Sequence, residues 1–257
     1  LIPLDREWTQ NELTETIKTA DVDFVFCDED ISEKMNGVKA DGGMFFMNAK
    51  ENRQNVRALT AFGHMKYCKD PSPYEDAYID PHALALMVYT SGTTGKGKGV
   101  MLSQNNICSN IYQTLQMVKV KQDDKTMSIL PLHHTYECTL DCLLILSCGA
   151  TVCYAESLRT VARNIREYSP SILVVVPELL AVLCRRIKAG ITEGCPKAYK
   201  HYFEELGIAE ALGRVPFFIR AAIKAKVKKT LGGKLRLFIV GAAELDTSIV
   251  DDFTALG

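Results

Sequence analysis

Tyr89-Thr90-Ser91-Gly92-Thr93-Thr94-Gly95-Lys96-Gly97-Lys98-Gly99-Val100 decides the reading of this chain. An apolar run, Ala83 to Val88, leads into it, and Met101-Leu102-Ser103 with a helical pattern follows. That order predicts a buried strand, a glycine-rich turn and then a helix. Glycine adopts positive φ without steric cost, so the turn can wrap a ligand closely. The hydroxyls of Thr90, Ser91, Thr93 and Thr94 and the ammonium groups of Lys96 and Lys98 stand among the glycines. Backbone N–H groups, hydroxyls and ammonium groups are the donors a polyphosphate requires. The stretch is expected to be a nucleotide-phosphate loop; the plainer alternative is a Gly/Thr-rich surface turn.

Outward from this loop, apolar strands alternate with helical patterns. Ser103 is placed to cap a helix carrying Ile107, Ile111 and Leu115. Strands are expected at Met127–Leu130, Thr151–Ala155, Ile172–Val176 (stopped by Pro177) and Leu235–Val240. Helices are expected over Thr139–Leu146, from a Ser157 cap through Leu158, Val161, Ile165 and Tyr168, and through Leu179, Leu183 and Ile187. Near-continuous apolar strands between helices predict an α/β fold, mostly parallel sheets covered by helices on both faces. Residues 1–80 form an α/β lead-in. There Thr9 and Glu12 make a capping box for a helix to about Thr19, Asp23–Cys27 reads as a short buried strand, and Met44–Met47 is a second strand. The nucleotide-binding core then occupies 81–257, with a helical insertion at about 189–230.

Composition narrows the function classes. A chain of 257 residues with net charge -1 can bury a substantial core and lacks the basic excess of a nucleic-acid binder. The apolar stretch Thr139 to Ala155 contains Asp141 and Gly149 and is too short for a membrane span. Nine cysteines at irregular spacing fit a reduced, cytoplasmic protein with free thiols. The segment 215–229 pairs Phe217 and Phe218 with Arg220, Lys224, Lys226, Lys228 and Lys229. It is a solvated helix face or a peripheral membrane contact. The chain opens at Leu1 and closes at Gly257 within a helical pattern, as expected of a piece of a longer protein.

Two families compete for the loop. Gly92, Gly97 and Lys98 fit a Walker A pattern, but Gly99 stands where that motif needs the hydroxyl for Mg²⁺. The run Thr90 to Val100 instead closely resembles the Thr-Ser-Gly-Thr-Thr-Gly-x-Pro-Lys-Gly signature of adenylate-forming enzymes, with Gly97 in the proline position. That superfamily includes acyl-CoA synthetases, luciferases and peptide-synthetase adenylation domains. Leu130-Pro131-Leu132-His133-His134-Thr135-Tyr136-Glu137 resembles its Pro-Leu-x-His element, most closely the long-chain acyl-CoA synthetase version. Gly241-Ala242-Ala243-Glu244-Leu245 resembles its Gly-Ala-Ala-Pro-Leu element, with Glu244 replacing the proline. Pro3-Leu4-Asp5 and the helical insertion before Gly232-Gly233-Lys234-Leu235-Arg236 are further points of likeness.

The resemblance implies an acetyl-CoA synthetase-like N-terminal domain, incomplete here. It implies Mg-ATP-dependent activation of a carboxylic acid, most like a long-chain fatty acid, and transfer to coenzyme A. Thr90, Ser91, Gly92, Thr93, Thr94, Gly95 and Lys98 would hold phosphates; Gly241, Ala242 and Ala243 would face adenine; His134, with His133 beside it, would border the acyl pocket. The alternative for the histidines is a structural pair. The family's Tyr-Gly-x-Thr-Glu element, its hinge and its lysine-bearing C-terminal domain do not occur in these residues. The chain alone is therefore expected not to turn over. Two other readings stay open: an amino-acid or aryl-acid adenylation domain, and a P-loop-like NTPase or nucleotide-binding module. Zinc at His133, His134, Cys138 and Cys142 is disfavoured, because their spacing matches no structural zinc pattern.

Overall fold

A computed structural model describes residues 1–48, 54–90 and 97–257. They form two compact units, Leu1–Gln104 and Asn105–Gly257. In the first, α1 (Gln10–Thr19) starts at the expected capping box: Glu12 N donates to Thr9 Oγ1, and Thr9 N donates to Glu12 Oε2 at 2.7 Å. β1 (Phe24–Cys27) pairs in parallel with β2 (Gly43–Phe46). Leu13 and Ile17 of α1 pack on Cys27 and Met35, with Trp8 and Phe46 at the margin. β1 is not buried throughout as expected, because alternation turns Phe24 and Phe26 outward. Two helices follow, α2 (Val56–Lys69) and α3 (Ser72–Glu75).

The loop region departs from the expected strand–turn–helix. β3 (Leu84–Thr90) is followed by a second strand, β4 (Lys98–Ser103), antiparallel to it, before α4 (Gln104–Met117) begins. The phosphate-loop candidate is thus the connection of a hairpin. The hairpin belongs to the first unit, although its residues were expected to open the core. Gly99 suits β4 for a steric reason: a Cβ there would lie 2.9 Å from Met87 Sδ and 3.3 Å from the Tyr89 ring.

The second unit is a parallel sheet in the order β6-β5-β7-β8, comprising β5 (Lys125–Ser128), β6 (Thr151–Tyr154), β7 (Ile172–Val175) and β8 (Leu237–Val240). A π-helix (Glu137–Leu143) running into α5 (Leu144–Ser147) connects β5 to β6. α6 (Val161–Tyr168) connects β6 to β7. Between β7 and β8 come α7 (Pro177–Gly194), α8 (Lys197–Glu205), α9 (Ile208–Arg214) and α10 (Phe217–Thr230), and α11 (Thr247–Leu256) closes the chain. Helices cover both sheet faces, as expected. Leu144, Ile145, Ala150 and Ile172 fill one face, with Ile111 and Leu115 of α4. Met127, Ile165, Leu173, Val175 and Leu180 fill the other. All four residues of β7 are buried, which explains its unbroken apolar sequence.

The insertion contains helices and no strand among its described residues, and it carries its own core of Ile187, Ile191, Phe203, Ile208, Leu212 and Val227. Asp252 of α11 ties it down by accepting from Ala209 N at 2.7 Å. At the amino edge of the sheet Asp124, buried before β5, accepts from Arg236 Nη2 at 2.5 Å and from Ser171 Oγ at 2.7 Å. These contacts join the starts of β5, β7 and β8. On α7, Gly190 has ordinary helical φ, and a Cβ there would meet nothing within 4 Å. Gly190→Ala is expected to raise unfolding free energy by about 0.5–1 kcal/mol, measured by urea titration.

Candidate functional site

The strand order points to a place before any motif does. The chain leaves β5 toward β6 on one side and returns to β7 and β8 on the other, so connections diverge between β5 and β7. In open α/β sheets ligands bind outside the carboxyl ends of the strands at such a switch point. The Pro131–Glu137 segment leaves the carboxyl end of β5, and Gly241-Ala242-Ala243 leaves that of β8. Sequence reasoning named both segments, and the structure joins them through Tyr136, which it had not assigned. The Tyr136 hydroxyl donates to Ile239 O at 3.1 Å and approaches Val175 O at 3.5 Å. Its ring lies against Gly241, where a Cβ would come within 2.8 Å. Gly241 is therefore required by a neighbouring ring, a demand that its sequence neighbours do not reveal.

Ala242 follows in the left-handed region, with φ 72°. A non-glycine residue there costs energy and is held only by its surroundings, and such strain clusters at binding sites. Ala242 and Ala243 are exposed, so the turn presents small side chains and backbone to solvent. Glu244, in the family's proline position, is exposed too, and Asp246 caps α11 by accepting from Ser248 N at 2.9 Å. His134 is exposed, with its ring centroid 4.3 Å from that of His133. His134 N donates to Pro131 O, and His134 O accepts from Cys138 N, both at 3.0 Å, so the backbone here is a tight turn into the π-helix.

The expected helix over Thr139–Leu146 is of a different type at its start. The π-helix begins at Glu137 and buries Glu137, Cys138, Thr139 and Asp141. π-Helical turns are rare and occur often at functional sites. Glu137 Oε1 accepts from Ser128 Oγ at 2.6 Å and from Ile129 N at 3.1 Å. Asp141 accepts from Thr126 Oγ1. Glu137 Oε2 and Asp141 Oδ2 are buried and receive no donor from a described residue. A proton resolves this: burial, then the Asp141 charge, push the Glu137 carboxyl up to about 8, and its hydrogen bond goes to Asp141. Burial also raises Asp141, to about 6. Both carboxyls are thus pushed toward the protonated form, Glu137 the more strongly. Burial raises the Tyr136 hydroxyl to about 12, with the two carboxyls adding to it, so Tyr136 remains a donor.

In the first unit, Thr90 and Lys98 are exposed cross-strand partners at the loop end of the hairpin. Ser91, Gly92, Thr93, Thr94, Gly95 and Lys96 lie outside the described residues. All nine cysteines are free among the described residues. No group of three or more His, Cys, Asp or Glu side chains among those residues could hold a metal ion.

The whole chain, residues 1–257, matches the family described as AMP-binding enzyme. The chain belongs to that family. It is 29% identical over 187 residues to long-chain-fatty-acid–CoA ligase 5 of Mus musculus, covering 68% of this chain and 27% of that one. It is 35% identical over 127 residues to probable acyl-activating enzyme 16, chloroplastic, of Arabidopsis thaliana, covering 49% of this chain and 17% of that one. The ATP-bound structure of MatB from Rhodopseudomonas palustris aligns over 99% of this chain and 42% of its own, with TM-score 0.61 and 21% identity. The adenylation domain of a carboxylate reductase from Mycobacterium chelonae aligns over 99% of this chain and 41% of its own, with TM-score 0.67 and 18% identity. These two likenesses establish the fold, that of the N-terminal domain of acetyl-CoA synthetase-like adenylating enzymes.

A carboxyl raised by burial stabilises the fold when protonated. Its contribution is complete below the unfolded value of 4.5 and is lost as pH rises through about 8. Stability should fall between pH 6 and 8 in the natural protein, read by urea unfolding across that range. Glu137→Gln keeps an acceptor for Ser128 and a donor for Asp141, so it should flatten the slope there. Tyr136→Phe keeps the ring against Gly241 but leaves Ile239 O without its donor, and should cost about 1 kcal/mol in the same measurement.

Proposed function

We propose that this chain is the nucleotide- and acid-binding part of an AMP-forming acid–thiol ligase acting on long-chain fatty acids. The observation that carries the reading is the turn after β8, where Tyr136 packs on Gly241 and Ala242 is held at positive φ beside the carboxyl end of β5. It gives an exposed backbone surface with small side chains suited to adenine, and the exposed His134, in the same segment as Tyr136, would border the acid. The long-chain preference draws on relatives such as the mouse long-chain-fatty-acid–CoA ligase and on the Pro131–Glu137 segment.

In the proposed reaction a substrate carboxylate oxygen attacks the α-phosphorus of ATP, the bond to pyrophosphate breaks, and acyl-adenylate forms. The thiolate of coenzyme A then attacks the acyl carbonyl and AMP leaves. Neither half requires a protein nucleophile; positioning and charge neutralisation supply the rate. Lys98 and Thr90 would meet phosphate oxygens, with Ser91, Gly92, Thr93, Thr94 and Gly95 between them; Gly241, Ala242 and Ala243 would meet adenine. Tyr136 is a positioning residue that holds the adenine turn. Mg²⁺ carried by ATP would supply charge neutralisation at the phosphate oxygens. We further propose that residues 1–257 do not turn over alone, that the protein is cytoplasmic, and that α10, with exposed Phe217 and Phe218 and a lysine-rich surface, permits peripheral contact with a membrane.

The test is carboxylate-dependent ATP–pyrophosphate exchange by the full-length parent over a panel of acids. Exchange driven by long-chain fatty acids and reduced about 100-fold by Lys98→Ala is expected, on the scale of a lost charge-stabilising contact. Exchange with amino or aryl acids alone would move the substrate class, and ATP hydrolysis without any acid would overturn adenylation.

A further inference from the structure

A cavity of about 600 Å³ lies in the second unit between the sheet, α6, α7 and α10. It opens on the face filled by Met127, Ile165 and Leu173, whereas α5, continuing the π-helix, packs on the opposite face. Its lining includes neither His133 and His134 nor Gly241–Ala243, although its sheet-edge end at Ile129 adjoins the Pro131–Glu137 segment. The volume falls in the range of small-molecule sites, about 300–1,000 Å³. Its shape follows from its walls. α7 contributes lining from Leu179 to Gly194, and that much helix at 1.5 Å per residue is about 22 Å long. A cavity this long holds a chain better than a ring system.

The chemistry of the walls is divided along that length. Ile129, Leu158, Val161 and Leu179 line the end near the carboxyl edge of the sheet. Arg166 from the last turn of α6, Arg186 from the second half of α7 and Lys226 from α10 line the remainder. All three cations are exposed, and none is held in an ion pair among the described residues. Glu193 is the one acidic side chain among the described lining residues. Lys226 Nζ overhangs the end of α7, where a Cβ on Gly194 would come within 2.4 Å of it. Three unpaired cations beside an apolar trough favour an anionic head on an apolar tail: the head would be desolvated only partly, and the tail fully.

We propose that this cavity binds a free long-chain carboxylate, its head at Arg186 and Lys226 and its tail toward Ile129, as a second acyl site apart from the reaction centre. The proposal does not depend on the adenylation reading, and its assay contains no nucleotide. The 257-residue chain is titrated with a fluorescent conjugated-polyene fatty acid and, separately, with its methyl ester. Saturable binding of the acid is expected, with the ester weaker by about tenfold, the scale of one charge-assisted hydrogen bond. Arg186→Glu and Lys226→Glu should each weaken the acid by a similar factor without changing thermal melting. Gly190→Trp, placed where a side chain has open space within the cavity wall, should abolish binding while far-UV circular dichroism stays native. His134→Ala should leave it intact. Absence of binding, equal binding of acid and ester, or full binding by Gly190→Trp would each overturn the proposal. Loss in His134→Ala alone would assign the probe to the reaction centre and overturn it too.

Discussion

The burial of two neighbouring carboxyls, Glu137 and Asp141, is the constraint on which the ligand-facing end of the sheet depends. Two carboxylates cannot both ionise in a buried space, because each would face the other's charge without solvent. With one proton between them they become a donor and an acceptor, and their other oxygens take up Thr126 and Ser128 of β5 and the Ile129 N–H that follows it. The π-helical turn is thereby fastened along β5. Tyr136 immediately precedes Glu137, so fixing the turn also fixes the ring. The ring then closes on Gly241, and its hydroxyl meets the carbonyl of Ile239. A buried polar network of this kind is stabilising only when every member is satisfied. The raised Glu137 carboxyl is the group that moves toward that condition, by taking up a proton beside Asp141.

From this follows the character of the turn after β8. Gly241 has no room for a side chain beside the Tyr136 ring, and Ala242 is held at positive φ, so the segment is shaped by its neighbours rather than by a ligand. Pre-organisation of this sort spares the entropy of ordering a loop on binding. Glu244, where the resembled Gly-Ala-Ala-Pro-Leu element has proline, sits in a turn held by the ring of Tyr136 on one side and by the Asp246 cap of α11 on the other.

The sequence was legible where local rules and burial agree. Thr9 and Glu12 announced their helix because a capping box is a contact within four residues. β7 announced itself because a strand buried on both faces has no polar position. α2 gave no such signal, since none of its residues is buried and no apolar stripe was needed. β4 was read as part of the turn, because its glycine and exposed residues carry no alternation; its strand character comes from pairing with β3. Ser157 looked like a cap, but Thr160 Oγ1 accepts from Ser157 N within a turn, and the helix starts only at Val161. The π-helix was hidden because an apolar stripe does not distinguish it from an α-helix. The sites were legible as segments, at Pro131–Glu137 and Gly241–Ala243. What joins them was not, because Tyr136 reaches residues more than a hundred positions away.

The two ends of the sheet divide stability and function between them. At the amino edge, Arg236 and Ser171 hold the Asp124 carboxyl down at about 2 against the penalty of burial. This is a satisfied network that stitches three strand starts together. Its contribution is present above the unfolded value of 3.8 and lost as pH falls through about 2. At the carboxyl edge the Glu137–Asp141 pair works in the opposite sense, losing its contribution as pH rises. The amino edge thus combines a matched ion pair with a left-handed helix cap at Ser169, φ 50°. The carboxyl edge concentrates the protonated carboxyl, the π-helical turn and the positive-φ alanine. Unfavourable local choices persist where the surrounding structure over-determines them and where they shape a surface for something else. Ser169 at the amino edge also has positive φ, but the π-helical turn and the buried carboxyl pair occur with Ala242 at the carboxyl edge, the edge that the strand order indicates from topology.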